Sequence, residues 1–229
     1  MFTIVQLLPQ FRAHPMIQKG VGYWYIYACI FQSLWSVAFA FEFIALSTVF
    51  IIGILLSLAA IIHSQYRVSS EGSLKEFWLL RFPFTIHCGW IVAATLLNFN
   101  VLLVKNEAAA SIQLSWAIVS LAALHGLSVI LLFGIQREPL YTISAVLSWA
   151  IGWISIELAS PSGKVQDTFD SDIILGLSHA AKFVSFIILG QILIRVFLSL
   201  IEKIFNKDNL SSGASRHRNS TMGDNLLTS

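Results

Sequence analysis

Long apolar runs alternate with polar breaks along this chain. A helix needs about 20 apolar residues to cross a hydrocarbon core, and six stretches approach or exceed that length: 21–41, 43–62, 82–104, 108–135, 140–158 and 173–205. The cleanest is 82–104, free of charge and bracketed by Arg81 and Lys105, with Pro83 in its first turn, where a missing N–H does no harm. The pattern predicts an all-α fold, a polytopic integral membrane helix bundle of about six transmembrane helices. The breaks are of several kinds. Glu42 marks a tight loop, 63–81 is polar with an aromatic patch at Phe77-Trp78, and Arg137-Glu138-Pro139 makes a short connection. Ser160-Pro161-Ser162-Gly163 then opens an acidic loop carrying Asp167, Asp170 and Asp172.

Composition agrees with the pattern. Hydrophobic residues make up 56% of the 229 positions and charged residues 11%, against roughly 25% charged in a soluble domain. The bilayer is therefore the expected solvent and the first partner. From Asn206 the chain loses apolar periodicity, so 206–229 is expected to be a disordered tail. Cys29 and Cys88 fall inside apolar runs and are expected to be reduced and buried. The 8-residue piece FTIVQLLP is too short to span and is followed by polar residues through Lys19. It is expected either to lie in the cytoplasm or to be the end of a helix whose beginning precedes Met1.

The charges orient the bundle. If the six spans alternate, Arg12, Lys19, Arg67, Lys75, Arg81, Arg137, Lys203, Lys207, Arg216 and Arg218 fall on one side and only Lys105 and Lys164 on the other. The positive-inside rule makes the first side cytoplasmic and places the C-terminus there. No nucleotide loop, catalytic triad or metal-ligand cluster emerges, so no catalytic or metal residue is assigned and enzyme activity is unsupported. No nucleic-acid partner is expected, and association with further copies of the chain stays open.

The polar and aromatic residues inside the runs are the candidates for chemistry. His87, Trp90, Ala94 and Asn98 recur at helical spacing. An imidazole and an amide at membrane depth belong toward the bundle interior, and the small Ala94 lets a helix or a ligand come close. Helix–helix packing with one interhelical hydrogen bond accounts for the same stripe. In the first span Trp35 lies deep beside Gln32 and Ser36, while Tyr23-Trp24-Tyr25 suits a membrane edge. Trp149, Trp153 and Glu157 repeat the four-residue spacing, Glu157 near a solvated helix end.

Gln32-x-x-Trp35-Ser36-x-x-x-Phe resembles the third-helix motif of the translocator protein/tryptophan-rich sensory protein (TspO/MBR-like) family, where Asn usually stands at the Gln32 place. Trp90-x-x-x-Ala94-Thr95-x-Leu97-Asn98 resembles that family's fifth-helix motif. Arg81-Phe82-Pro83-Phe84-Thr85 through Gly89-Trp90 resembles a longer-chain branch with extra helices. The resemblance covers about 2–105, dividing the chain into an N-terminal segment (1–20), core helices (21–105), additional transmembrane helices (106–205) and the tail (206–229). The family's first helix and the Pro-rich loop before its second have no counterpart, so the resemblance implies an N-terminally incomplete domain. It also implies a small hydrophobic ligand, a tetrapyrrole or a sterol-like lipid, facing Gln32, Trp35, Trp90, Ala94 and Asn98. His87 stands where many relatives have Tyr, and would ligate a haem iron or hydrogen-bond a propionate if a porphyrin is the ligand. The alternatives are a secondary transporter of a small solute, using Gln32, Asn98, His125, His179 and Lys182, and a structural subunit of a membrane complex.

Overall fold

The computed structural model describes residues 2–70, 72–134, 139–161 and 163–226; side chains are described through Phe205, apart from Gln10, Arg12 and Lys164. Every regular element among them is helical. Six long helices carry the fold: α1 (Trp24–Ala40), α2 (Ile44–Arg67), α3 (Phe82–Lys105), α4 (Ala110–Val129), α5 (Tyr141–Ala159) and α6 (Ser171–Leu226). The helical stretches Ile44–Arg67, Leu74–Lys105, Ala110–Gly134, Tyr141–Ala159 and Ser171–Phe205 are long and apolar enough to cross a membrane. The chain is thus a polytopic helical membrane protein with five such helices among its described residues.

The sixth expected span is the shortest. α1 has 17 residues, about 25 Å at the α-helical rise. Its start falls three residues later than the pattern predicts because Met16–Val21 forms a π-helical turn, ended by Gly22 at φ +50°. Cys29 on α1 is exposed rather than buried, whereas Cys88 is buried as expected; both are free thiols. α2 runs five residues past the expected end. Gln65 there is buried, and its Nε2 donates to the Leu80 carbonyl at 2.8 Å, satisfying a polar side chain that reads locally as loop.

The apolar N-terminal piece forms two single turns, Phe2–Val5 and Pro9–Arg12. Phe2 is buried against Tyr25 and Phe84, with ring centroids 5.0 and 4.7 Å apart. Upstream of α3, Leu74–Glu76 is capped by Ser73, whose Oγ accepts from the Glu76 N–H at 3.1 Å. A π-helical turn, Phe77–Arg81, then leads directly into α3. A third π-helical turn, Ile130–Gly134, continues α4, and the Leu140 N–H donates back to the Leu131 carbonyl at 3.0 Å.

α3 is the central helix, packing on α2, α4 and α5, while α1 packs on α2. Glycine permits the closest approaches: a Cβ on Gly89 would lie 2.9 Å from Val146 Cβ, and one on Gly53 2.8 Å from the Phe31 ring. The α1–α2 turn passes through Glu42 at φ +57°, and Glu42 accepts from Lys105 Nζ at 2.7 Å. Both side chains are exposed, so the pair ties the turn to the end of α3 without adding much stability.

Packing divides the chain at Leu189–Gly190. In the first unit, α5 and the start of α6 meet through serines: Ser178 Oγ donates to the Ser155 carbonyl at 2.8 Å. In the second unit, Arg195 Nη1 donates to Glu202 Oε1 at 3.3 Å. The tail expected to be disordered continues the α6 backbone to Leu226, with its side chains outside the described residues.

Candidate functional site

Asn98 joins three helices. It is 3% exposed, and an unpaired amide at that depth would cost several kcal/mol. The Ser47 and Thr48 hydroxyls of α2 each donate to the Ile44 carbonyl at 2.8 Å. Their oxygens then accept from Asn98 Nδ2 at 3.2 and 2.6 Å. Asn98 Oδ1 accepts from Trp35 Nε1 of α1 at 3.3 Å. Trp35 in turn stacks on Phe39, centroids 5.3 Å apart. The two sequence motifs therefore meet at one hydrogen bond.

The remaining candidates do not gather at that node. Trp90 is 45% exposed and lies against Trp149 at 5.6 Å, which continues to Trp153 at 6.1 Å along α5. Gln32, His87 and Ala94 are half-buried. Eight residues separate Trp90 from Asn98, which at 100° per residue turns the two side chains about 80° apart around α3.

Two apolar cavities lie on the other flank of α3, and none of the six candidates lines either. The first, of about 720 Å³, is a half-open cleft bounded by α2, α3, α4 with its π turn, and α5. Leu55, Ala59 and Ile62 of α2 face Cys88, Val92 and Thr95 of α3, with Leu127 and Leu131 from α4 and Ile143 from α5 completing the wall. His63 and Tyr66 bring polar groups to the end where α2 finishes. Thr95 adds little polarity, because its hydroxyl is spent on the Ile91 carbonyl at 2.7 Å.

That end is held by charge. Glu76 is buried, and Arg81 Nε donates to its Oε1 at 3.1 Å, as does Ser70 Oγ at 2.8 Å. The Arg81 guanidinium lies 5.6 Å from the Tyr66 ring centroid, a cation–π distance. The ion-paired guanidinium thus lies against Tyr66 at the cavity mouth. Arg81 was legible as part of a motif; Glu76 was not, since a lone carboxylate in a polar stretch reads as solvated.

The second cavity, of about 410 Å³, lies between α3, α4, α5 and the start of α6. Val165 and Phe169, from the short helix Lys164–Thr168 and the residue after it, cover one end. Its polar residues are turned inward on the protein: Asn100 Nδ2 donates to the Leu96 carbonyl at 2.8 Å and to Ser120 Oγ at 3.2 Å, and Gln113 Nε2 to the Ala108 carbonyl at 2.7 Å.

The fold and this site define a polytopic α-helical membrane protein with apolar chambers between its helices. The chain matches the TSPO-like protein family over residues 1–199 and belongs to that family. The match extends beyond the 2–105 stretch carrying the motifs and takes in α4, α5 and α6 through residue 199. No curated protein and no solved structure matches the chain.

Proposed function

We propose that this protein binds a small amphipathic lipid of sterol-like shape in the chamber between α2, α3, α4 and α5. The observation that carries the reading is the chamber itself: about 720 Å³, with walls of Leu, Ile, Val and Ala and polar groups confined to one mouth. Ligand sites of drug-sized molecules have that size and that economy of polar contacts. Along α2 the lining runs from Leu55 to Tyr66, about 17 Å at the helical rise. A rigid aliphatic body fills such walls by dispersion and burial. His63 and Tyr66 supply the contact for a hydroxyl head. Ala59 and Ala123 line the chamber yet are exposed, which favours entry from the bilayer between α2 and α4.

Equilibrium binding of a fluorescent sterol to the purified full chain tests this. Ala59→Trp, which fills the entrance, is expected to weaken binding about tenfold or more while the protein stays folded. Equal affinity of the variant and the parent would remove the chamber as the site.

A second reading places a tetrapyrrole on the aromatic face formed by Trp90, Trp149 and Trp153, where a flat ring stacks on indole. It is favoured by the run of tryptophans beside Trp90. Trp90→Ala would then weaken porphyrin binding, by about 1–3 kcal/mol, far more than Trp78→Ala. Equal effects in a titration would sink that reading.

A further inference from the structure

The two cavities share two residues. Leu96 of α3 and Leu124 of α4 line both, and Leu124 is only 2% exposed. The chambers therefore adjoin at these two side chains. On α3 the first lining extends from Cys88 to Leu96 and the second from Ala93 to Val104. Together they follow α3 for about 24 Å, most of the thickness of a hydrocarbon core.

The chambers differ in chemistry. The first has its polar groups, His63 and Tyr66, at the outer mouth. The second contains Asn100, Gln113 and Ser120, but their donors are committed to Leu96, Ala108 and Trp116 carbonyls at 2.7–2.8 Å. Beside these three residues the second lining is mainly leucine, isoleucine, valine and alanine. One end is suited to a head group and the far end to an aliphatic tail. The partition is made of leucine side chains, which change rotamer without breaking any hydrogen bond.

We infer that the two cavities work as one two-chamber site for a tailed amphiphile. The ring body and hydroxyl occupy the first chamber, and a flexible aliphatic tail passes between Leu96 and Leu124 into the second. The protein would then discriminate its ligands by tail as well as by ring system. This inference rests on the binding proposed above and adds the second chamber and the partition to it.

The test compares cholesterol with androstenol, which keeps the ring system and hydroxyl but lacks the side chain. Both are titrated against the full chain in lipid nanodiscs, as competitors of a fluorescent sterol. Cholesterol is expected to bind about tenfold tighter or more, because its tail is buried in the second chamber. Ala117→Trp fills that chamber from α4 and is expected to abolish the preference while leaving androstenol affinity within about twofold. Gln113→Trp intrudes on the same chamber from its rim and is expected to act in the same direction, which covers the case where Ala117→Trp does not fold. Equal binding of the two sterols by the parent protein overturns the two-chamber site but leaves the first chamber standing as a ligand site. A tail preference that survives both tryptophans also overturns it, since the tail would then lie elsewhere. Failure of both sterols to bind removes the proposed function and this inference with it.

Discussion

Ser148 and Ser185 exchange hydrogen bonds: each hydroxyl donates to the other's backbone carbonyl, at 2.9 and 2.8 Å. Seven residues along each helix, Ser155 and Ser178 repeat the meeting, with hydroxyls 3.5 Å apart. A seven-residue repeat of small polar side chains suits two helices that cross at a shallow angle and approach closely. Interhelical hydrogen bonds in membranes average about 0.6 kcal/mol, with a maximum near 1.7. Ser148→Ala and Ser185→Ala are each expected to lower stability by that order, and the double variant by less than the sum. Additive losses in a denaturation series would mean the two serines act independently.

Asn98→Leu should be more costly than either serine change. It removes the acceptor of Trp35 Nε1 and strands partners on α2. Losing a satisfied buried amide costs about 1–3 kcal/mol. Trp35→Phe removes one neutral hydrogen bond and should cost less. In the Asn98→Leu/Trp35→Phe cycle, an interaction term near zero would show that the indole–amide bond contributes nothing.

The two glycines of α3 and α4 separate packing from propensity. Gly89→Ala would place a methyl 2.9 Å from Val146 Cβ and 3.3 Å from the Ile143 backbone, so α5 must move. Gly126→Ala meets nothing within 4 Å and exchanges glycine for a better helix former. Thermal unfolding should show a loss of about 1–3 kcal/mol for the first and none for the second. A loss at Gly126 of the same size would mean that face is packed against something else.

Arg81 and Glu76 give an asymmetric prediction. The Glu76 side chain is 2% exposed and that of Arg81 12%. Removing only the cation takes this guanidinium from a buried carboxylate, at a cost of about 3–5 kcal/mol. Arg81→Met should therefore be worse than Arg81→Met combined with Glu76→Gln. The sterol-binding titration offers a second readout, because Tyr66 at the chamber mouth lies under the same guanidinium. A double variant as unstable as Arg81→Met alone would show that the pair is not what holds this end.

Much of the bundle was legible because charge and length are global signals: the uncharged run ending at Lys105 became α3 almost to the residue. Asn98 was legible as an inward residue, since an amide in an apolar run must find donors and acceptors. Trp90 was grouped with it by four-residue spacing and by the shared motif, and the spacing overlooks the drift of 80° over eight residues. The chambers were not legible. Leu96, Leu124 and Ile143 have the same composition signal whether they face lipid, a neighbouring helix or an empty space. Gln65 and Glu76 read as loop residues because their partners, Leu80 and Arg81, depend on how α2 and the turn before α3 pack together.

The orientation inferred from charge is testable through the sequons Asn209-Leu210-Ser211 and Asn219-Ser220-Thr221. In a eukaryotic secretory membrane both are expected to remain unmodified if the side rich in Lys and Arg faces the cytoplasm, as the positive-inside rule predicts. A mobility shift removed by endoglycosidase would reverse the topology and put His63 and Tyr66 on the lumenal side.

The π turn at Ile130–Gly134 carries one residue more per turn than an α-helix needs. Such an excess can be handed along a helix by exchanging one backbone hydrogen bond at a time. Each step rotates the local side chains by about 100° without unwinding the segment. Leu131 lines the first chamber, whereas Leu132 beside it is fully buried elsewhere. The register of this turn therefore decides which leucine the chamber wall presents. Deleting a single residue from Ile130–Gly134 would restore plain α-helical register and replace the side chain that Leu131 presents to the chamber.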